Sequence, residues 1–243
     1  MRRSHNNTPT IPTSTAIADN DNINNPIFIF GPARSGTTLL QRLLKSFEGV
    51  YVMGEHHGAM EPLITSYKCM LKSNKNKTPI NEFDNPAFNP CWERLNNNDE
   101  IKQSYVKFIT ALFNPHNQPF RWGFKEIAER YPNKDTYIDL LELFPQAKML
   151  FIYRNIEDVI SSRVRMFRQG IEFDKELEYT VRNNINNYIN MIHQLNELFP
   201  NNTLVLEYNK FIEYRAEYIE KISQFISIPY SERAFTVMET PVN

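Results

Sequence analysis

The sequence has 243 residues, of which 41% are hydrophobic and 13% aromatic, enough for one substantial core but too few for two comfortable domains. The formal net charge of -1 and the pI near 6.5 exclude a general attraction to nucleic acid or to an anionic membrane. Any anion site must therefore be a local concentration of donors.

Metal, disulfide and membrane features are equally weak in the sequence. The two cysteines show no C-x-x-C spacing, and the five histidines form no H-E-x-x-H pattern. No apolar run reaches the roughly 18 to 20 residues of a membrane span. The sequence thus predicts a cytoplasmic protein without metal, membrane or nucleic-acid partners; the oligomeric state stays open, and a homodimer is compatible with it.

The first predicted element follows a polar segment. Residues 1–25 are rich in Asn, Thr, Ser and Asp, which predicts a flexible tail in front of a single domain over 26–243. PIFIF, residues 26–30, is typical of a buried strand, and leucines at 39, 40, 43 and 44 have the spacing of a helix face. Strand, glycine loop and helix together open a parallel α/β sheet.

Strand and helix patterns alternate along the rest of the chain. A second strand is predicted to end at Gly54 and Glu55, and the polar stretch from about 66 to 100 is predicted to be an irregular insertion or a substrate lid. The later predicted strands are 121–125, 147–154 and 203–208, and the later helices are 99–113, 133–144, 155–170, 173–199 and 209–226. This alternation predicts a three-layer α/β sandwich around a central parallel sheet, with ligands at the carboxyl ends of the strands.

The first loop has the chemistry of an anion cradle. Gly31 and Gly36 keep the spacing of a Walker loop, G-x-x-x-x-G-K-[ST], but Thr37 takes the place of the lysine. Backbone N–H groups of residues 33–38 can point at a ligand at the positive end of the helix dipole, and Arg34 adds a fork of donors. Because the missing lysine would reach the β- and γ-phosphates, its loss favours a shorter anion over a metal-bound triphosphate. A turn kept tight by small residues is the alternative.

A second pattern, R-x₇-S, spans a strand end and a helix. Arg154 ends the predicted strand, and Ser162 lies about two turns into the next helix, which Asn155 and Asp158 are predicted to cap. Taken alone, this pattern is more typical of a surface arginine beside a solvated helix face that carries Arg163, Arg165 and Arg168.

The two patterns together resemble the sulfotransferases that use 3′-phosphoadenosine 5′-phosphosulfate (PAPS). In that family a P-x-R/K-S-G-T-T loop binds the 5′-phosphosulfate end, and an R-x₇-S pattern on a later strand and helix binds the 3′-phosphate. The corresponding stretches here are PARSGTT (32–38) and RNIEDVISS (154–162), in the same order and context. The resemblance covers most of residues 26–228 and implies the family's P-loop NTPase-like fold and a donor site without metal.

The resemblance also implies roles at the donor site. Arg34 would contact the bridging phosphate and stabilise the leaving group, and Arg154 and Ser162 would clamp the 3′-phosphate. The residues expected to cradle the 5′-phosphate are Ser35, Gly36, Thr37 and Thr38. Tyr208 matches a strand-to-helix position from which it could lie against the adenine; an ordinary core aromatic is the alternative.

A general base must lie within hydrogen-bond reach of the acceptor hydroxyl. VMGEHHGAMEP (52–62) follows the second strand, where many relatives carry a G-E or G-E-E element, so Glu55 is the first choice and His56 the second. A histidine with its ordinary pKa of about 6.5 suits this task, whereas a glutamate pKa must be raised by burial. His57 and Glu61 are expected to orient the substrate.

Two places depart from the family pattern. RWGFK (121–125) resembles the family's W-G-x-K segment, which implies that Lys125 stabilises charge near the sulfuryl group, but the usual Thr-Pro is here Glu126-Ile127. The sequence also reaches residue 243 without the basic, glycine-rich segment that many cytosolic members wrap around the 3′-phosphate. A branch with a shorter ending, a missing continuation, and replacement by the arginines of 163–168 are the alternatives.

These expectations predict sulfuryl transfer from PAPS, with release of 3′-phosphoadenosine 5′-phosphate (PAP), to a hydroxyl or an amine of a small-molecule acceptor such as a natural product or alkaloid. Glu55, Glu61 and Glu126 would suit a cationic acceptor. A P-loop kinase is one alternative, and it predicts binding of ATP with Mg²⁺ and a substitute lysine. A non-catalytic nucleotide-binding module is the other, and it predicts donor binding without turnover.

Overall fold

The computed structural model describes residues 25–74, 97–114, 121–167 and 174–239, so the predicted tail, apart from Asn25, lies outside the described residues. The strands are β1 (Ile27–Gly31), β2 (Val50–Met53), β3 (Arg121–Ile127), β4 (Lys148–Tyr153) and β5 (Thr203–Glu207). They form one five-stranded sheet in the order β2-β3-β1-β4-β5, and every neighbouring pair is parallel.

Helices connect these strands. In the described ranges they are α1 (Thr37–Leu44), α2 (Met60–Asn74), α3 (Asn98–Phe113), α4 (Lys134–Leu143), α5 (Ile156–Phe167), α6 (Lys175–Leu198), α7 (Tyr208–Glu213), α8 (Arg215–Ile226) and α9 (Arg233–Glu239), with a 3₁₀ turn at Ala128–Arg130 after β3.

The side chains of β1 show why the fold has three layers. All five residues of this strand are buried, and successive side chains point to opposite faces of the sheet. Ile27 and Ile29 pack with the leucines of α1 and with α7, α8 and α9, whereas Phe28 and Phe30 pack with α2, α3, α4 and α6. The central parallel sheet with helices on both faces confirms the predicted fold class.

The prediction of an irregular segment over 66–100 is wrong at both of its ends. α2 continues to Asn74 and α3 begins at Asn98, while residues 75–96 lie outside the described residues. Met60, Ile64 and Tyr67 share one face of α2 and are buried in the core, so their helical spacing outweighs the polar composition around them. The second strand is also shorter than predicted, because β2 ends at Met53.

The last predicted helix is divided and begins earlier than expected. Tyr208 is the first residue of α7 rather than part of β5, and Tyr214 separates α7 from α8. α9, which packs against α1, has no counterpart among the predicted elements. The carboxyl ends of the parallel strands lie at one edge of the sheet. Most of the predicted site residues lie at this edge, in the segments that follow β1, β2, β4 and β5.

Candidate active site

Two residues of the loop after β1 have a left-handed backbone conformation. Arg34 has a φ of 74° and Gly36 a φ of 97°, directly before the first turn of α1. Ser35 is fully buried, and both its hydroxyl and its N–H donate to the carbonyl of Pro32, at 2.6 and 3.1 Å. The Ser35 side chain therefore shapes the loop and does not face a ligand.

A direct contact joins the two predicted anion patterns. Arg34 Nε donates to Ser162 Oγ at 3.0 Å, across 128 residues of sequence. The contact arises because β1 and β4 are neighbours in the sheet, so the loop after β1 and the start of α5 lie side by side. Two patterns that are each weak alone thus form one site.

Tyr208 packs between the loop and the second pattern. A Cβ added to Gly36 would lie 2.3 Å from Tyr208 Cδ2, so the ring rests directly on this glycine. Arg154 lies over the same ring, with Cζ 4.7 Å from the ring centroid. Tyr208 is therefore placed beside the predicted phosphate-binding residues, and its contact with adenine stays a prediction.

The helix cap at the start of α5 differs in part from its prediction. Asn155 Oδ1 accepts from the N–H groups of Glu157 and Asp158, at 2.9 and 3.4 Å, as expected for a cap. The Asp158 carboxylate, however, accepts from Arg154 Nε at 3.4 Å and from Asn209 at 3.2 Å. Asp158 thus positions Arg154 and links α5 to α7.

These residues surround a cavity of about 280 Å³. Its lining residues are Arg34, Gly36, Thr37, Thr38, Leu39, Arg154, Ser162, Arg165 and Tyr208. Of the arginines proposed as a substitute for a basic terminal segment, Arg165 lines this cavity, Arg163 turns away to Ala33 and Glu129, and Arg168 lies outside the described residues.

A carboxylate from the segment after β2 and a lysine of β3 form an ion pair. Lys125 is 6% exposed, and its Nζ donates to Glu55 Oε1 at 2.5 Å. The other oxygen of Glu55 accepts from Arg130 at 3.1 Å. Burial by itself raises the pKa of Glu55, but the hydrogen bonds and charges of Lys125 and Arg130 lower this pKa by more, so it lies below its ordinary value.

His56 points away from this pair. Its ring packs edge-on against Phe124, Phe113 and Tyr131, with centroid distances of 4.5, 5.0 and 6.3 Å. Burial lowers the pKa of His56, and the nearby Glu126 charge raises it by less, so the pKa lies below its ordinary value. Between the two predicted bases, the geometry favours Glu55.

The other predicted substrate residues follow Glu55 in the chain. His57 is exposed at a left-handed position with a φ of 57°, and Glu61 lies in the first turn of α2. Glu126 is fully buried and accepts from the N–H groups of His56 and Gly58, at 3.1 and 2.9 Å. The prediction that Glu126 attracts a cationic acceptor is therefore wrong, because this carboxylate already binds protein donors inside the fold.

Two residues of the site were not predicted. Arg130 pairs with both Glu55 and Glu126, and the four-residue spacing of Glu126 and Arg130 is the signal that could have revealed it. Glu129 accepts from the N–H of Ala33 at 3.2 Å and pairs with Arg163. The N–H at Ala33, predicted to bind an anion, therefore binds Glu129.

A sequence model of the sulfotransferase family matches residues 26–232. The chain belongs to the sulfotransferase family. It is 27% identical to an uncharacterized protein of Aquifex aeolicus, over 88% of this chain and 27% of that protein. It is 23% identical to a protein-tyrosine sulfotransferase of Drosophila melanogaster, over 85% of this chain and 38% of that protein. This sulfotransferase chain thus spans less than half the length of either relative.

Solved structures agree with this family at the level of fold. The sulfotransferase domain of the Synechococcus PCC 7002 olefin synthase has a TM-score of 0.58 and 17% identity, covering 89% of this chain and 79% of that one. Mouse sulfotransferase SULT7A1, complexed with PAP, has a TM-score of 0.51 and 12% identity, covering 91% and 69%. The predicted P-loop-like sulfotransferase fold is confirmed.

The described ranges carry neither a metal-binding cluster nor a membrane span. No group of three or more His, Cys, Asp or Glu side chains within them could hold a metal ion. None of the helices described there combines the length and apolarity that crossing a membrane requires.

Proposed function

We propose that this sulfotransferase transfers the sulfuryl group of PAPS to a hydroxyl, or an amine, of a small-molecule acceptor. The observation that carries the proposal is the 3.0 Å hydrogen bond from Arg34 to Ser162, which puts both anion patterns of the chain into one cavity. A donor with a phosphosulfate at one end and a 3′-phosphate at the other needs two groups of anion-binding residues that line the same cavity.

The residues around the cavity fit such a donor. Arg34 and the N-terminus of α1 would bind the 5′-phosphosulfate, while Arg154, Arg165 and Ser162 would bind the 3′-phosphate. Thr37 stands where a Walker loop has its lysine, which disfavours a metal-bound triphosphate. These guanidinium groups would compensate the donor's charge without a metal ion.

The chemistry assigned to the chain needs a base and charge stabilisation. PAPS supplies the sulfuryl group: the acceptor oxygen forms a bond to sulfur, the bond from sulfur to the 5′-phosphate oxygen breaks, and PAP leaves. Glu55 would take the acceptor proton, because its carboxylate is ionised at neutral pH and is held beside Lys125; the two cations that lower its pKa also make it a weaker base than a glutamate with a raised pKa would be. Lys125 and Arg34 would stabilise the charge on the transferred group and the leaving oxygen.

The charges around Glu55 bear on the class of acceptor. Glu126 is buried and Glu55 is bound by two cations, which removes two of the three carboxylates that supported a cationic acceptor, so we propose a neutral hydroxylated small molecule. Because the Drosophila relative carries the name protein-tyrosine sulfotransferase, tyrosine-containing peptides are the acceptor class to compare in the same assay.

Calorimetry with PAP against ATP plus Mg²⁺ tests the donor. We expect PAP to bind and ATP with Mg²⁺ to bind much more weakly; tight ATP binding without a response to PAP would support a kinase. Arg154→Ala should weaken PAP binding by roughly 1–3 kcal/mol, the cost of a lost charged hydrogen bond. Arg182→Ala is the control, since Arg182 also pairs with a carboxylate at a four-residue spacing, Glu178, and with Glu157, but does not line the cavity.

Transfer of labelled sulfate from PAPS to panels of small hydroxylated compounds and tyrosine peptides tests turnover. We expect Glu55→Gln to retain PAP affinity and to lose most of the transfer rate, because the acceptor proton then has no base. Unchanged transfer by Glu55→Gln would remove Glu55 from this role.

A further inference from the structure

Glu126 is a buried charge in a row of apolar side chains. Trp122 and Phe124 precede it on the same face of β3 and are fully buried in the aromatic core. Glu126 is 0% exposed as well, and burying a carboxylate costs several kcal/mol unless hydrogen bonds compensate it. An apolar residue would fill this position at lower cost, so the charge calls for an explanation other than packing.

Both oxygens of the Glu126 carboxylate accept hydrogen bonds, and two of the donors come from the segment after β2. Oε2 accepts from the N–H groups of His56 and Gly58, at 3.1 and 2.9 Å, and lies 3.3 Å from His56 Nδ1. Oε1 accepts from the N–H of Ile127 at 2.8 Å and from Arg130. These bonds fix the backbone on the C-terminal side of Glu55.

Arg130 extends this fixation to the Glu55 side chain. The same Nη1 atom that donates to Glu126 donates to Glu55 Oε2 at 3.1 Å. Lys125 holds Oε1 from the other side, at 2.5 Å. Each carboxylate oxygen of Glu55 therefore has its own cation, and the orientation of the carboxylate depends on both.

We propose that Glu126 and Arg130 are positioning residues that hold the Glu55 carboxylate and its loop in the orientation needed to accept the acceptor proton. The inference rests on the proposed role of Glu55 in sulfuryl transfer. It assigns a function to Glu126-Ile127, the point where this sequence departs from the Thr-Pro of the family pattern.

The charges around Glu55 give the proposal a signature that packing alone does not produce. The charged groups that face it are Lys125 and Arg130, from β3 and the turn after it, with Glu126 behind Arg130. His56 follows Glu55 in the chain, but its ring lies against Glu126. Removing the Arg130 cation should raise the pKa of Glu55. Removing the Glu126 anion takes away a like charge and leaves Arg130 with Glu55 as its carboxylate partner, so the pKa of Glu55 should fall.

The test is a carboxyl ¹³C NMR titration of Glu55, assigned by its loss in Glu55→Gln, in wild type, Arg130→Met and Glu126→Gln. We expect shifts of opposite sign in the two variants, and a smaller change in Arg130→Lys, which keeps the charge. Glu142→Gln is the control: Glu142 accepts from Lys68 and Tyr67, at 3.1 and 2.9 Å, and its loss should leave Glu55 unchanged.

Turnover of the same variants supplies the second readout. Both Arg130→Met and Glu126→Gln should lower kcat by about tenfold or more while PAP affinity stays near that of wild type, because orientation and not donor binding is lost. Arg130→Met keeps the proposal testable if Glu126→Gln does not fold, since the Arg130 side chain is 29% exposed.

The outcomes separate this inference from the proposed function. Sulfuryl transfer by wild type, with Glu55 titrating identically in both variants or shifting in the same direction, would overturn the positioning role and leave the proposed function standing. If the pKa of Glu55 shifts in opposite directions in the two variants but wild type transfers no sulfate to any acceptor, the electrostatic coupling is supported. The role of Glu55 as base is then overturned.

Discussion

Gly36 shows how a single residue controls the donor loop. Its φ of 97° suits glycine, and the Tyr208 ring occupies the space where a Cβ would be. The ring is held in turn by Arg154, so a side chain at position 36 would displace an aromatic that contacts the second anion pattern. The loop and the R-x₇-S pattern are thus coupled through one point of close packing.

Gly36→Ala should therefore weaken PAP binding at least tenfold and lower the free energy of unfolding. Gly49→Ala is the matched control, because Gly49 also has a positive φ, 71°, but has open space around its Cβ position. Both variants pay a backbone cost of roughly 1–2 kcal/mol, so urea unfolding should show it in each. Calorimetry should show the loss of affinity in Gly36→Ala alone; equal losses would mean that the contact with Tyr208 is unimportant.

At the scale of elements, α6 is docked to the end of β1 by a tyrosine. Tyr188 is 6% exposed, and its hydroxyl donates to the carbonyl of Phe30 at 2.9 Å, just before Gly31 and the loop. The other contacts of α6 with the sheet include apolar ones, through Ile192 and Leu195, and a hydrogen bond from the Thr203 hydroxyl of β5 to Asn196 at 3.2 Å. Tyr188 therefore fixes where the long helix sits relative to the donor loop.

Tyr188→Phe removes that hydroxyl with little change in volume. We expect the free energy of unfolding to fall by about 0.5–1.5 kcal/mol, the usual net worth of a hydrogen bond. Tyr179→Phe is the control on the same helix, because Tyr179 is 67% exposed and should change stability by less than about 0.5 kcal/mol. Similar urea midpoints for both variants would contradict the docking role.

The elements were largely predictable because their signals are local. The apolar run of β1, the leucine face of α1 and the R-x₇-S pattern at the end of β4 all lie within short stretches of sequence. α2 was missed because most of it lies in a polar segment that hides the face formed by Met60, Ile64 and Tyr67. The polar composition of the long segment predicted irregular structure there, whereas the spacing of these three apolar residues is that of a helix face.

Contacts between strands that are distant in sequence could not be predicted in the same way. Arg130 acts because β2 and β3 are neighbours, which brings its guanidinium to Glu55 across 75 residues. His56 was a reasonable base from its ordinary pKa, but its orientation depends on aromatic residues from β3 and α3. Residue types thus indicated the chemistry, and the sheet order decided which of them meet.

At the scale of the whole molecule, the near-neutral net charge contrasts with a local concentration of arginines at the donor cavity. The net charge is -1, yet Arg34, Arg154 and Arg165 all line one cavity of about 280 Å³. This pattern suits a small polyanion better than an extended one such as nucleic acid. The charge of the donor site is balanced elsewhere by carboxylates, and some of those are buried inside the fold.

Those buried carboxylates set how the stability of the whole fold depends on pH. Burial by itself raises the pKa of Glu126, but hydrogen bonds from the N–H groups of Gly58 and Ile127 and the neighbouring cations lower it by more. The pKa of Glu55 is also lowered. A group whose pKa is lower in the folded state stabilises the fold above its unfolded pKa, about 4.3 for glutamate, and loses this contribution as the pH falls through the folded pKa.

Wild type should therefore lose free energy of unfolding steeply below about pH 4.3, measured as urea midpoints at a series of pH values. Glu126→Gln should be less stable than wild type at pH 7, because the buried donors lose their charged acceptor, but its stability should fall less steeply with acid. Glu48→Gln, a change at an exposed glutamate, controls for the loss of one negative charge. His56 adds to the decline at higher pH, below about 6.5, because burial lowers its pKa and the folded state resists its protonation. If the free energy of unfolding falls with acid by the same amount in wild type and in Glu126→Gln, the Glu126 charge contributes nothing to the stability of the fold. Its charged hydrogen bonds to the loop after β2 would then not stabilise the folded state.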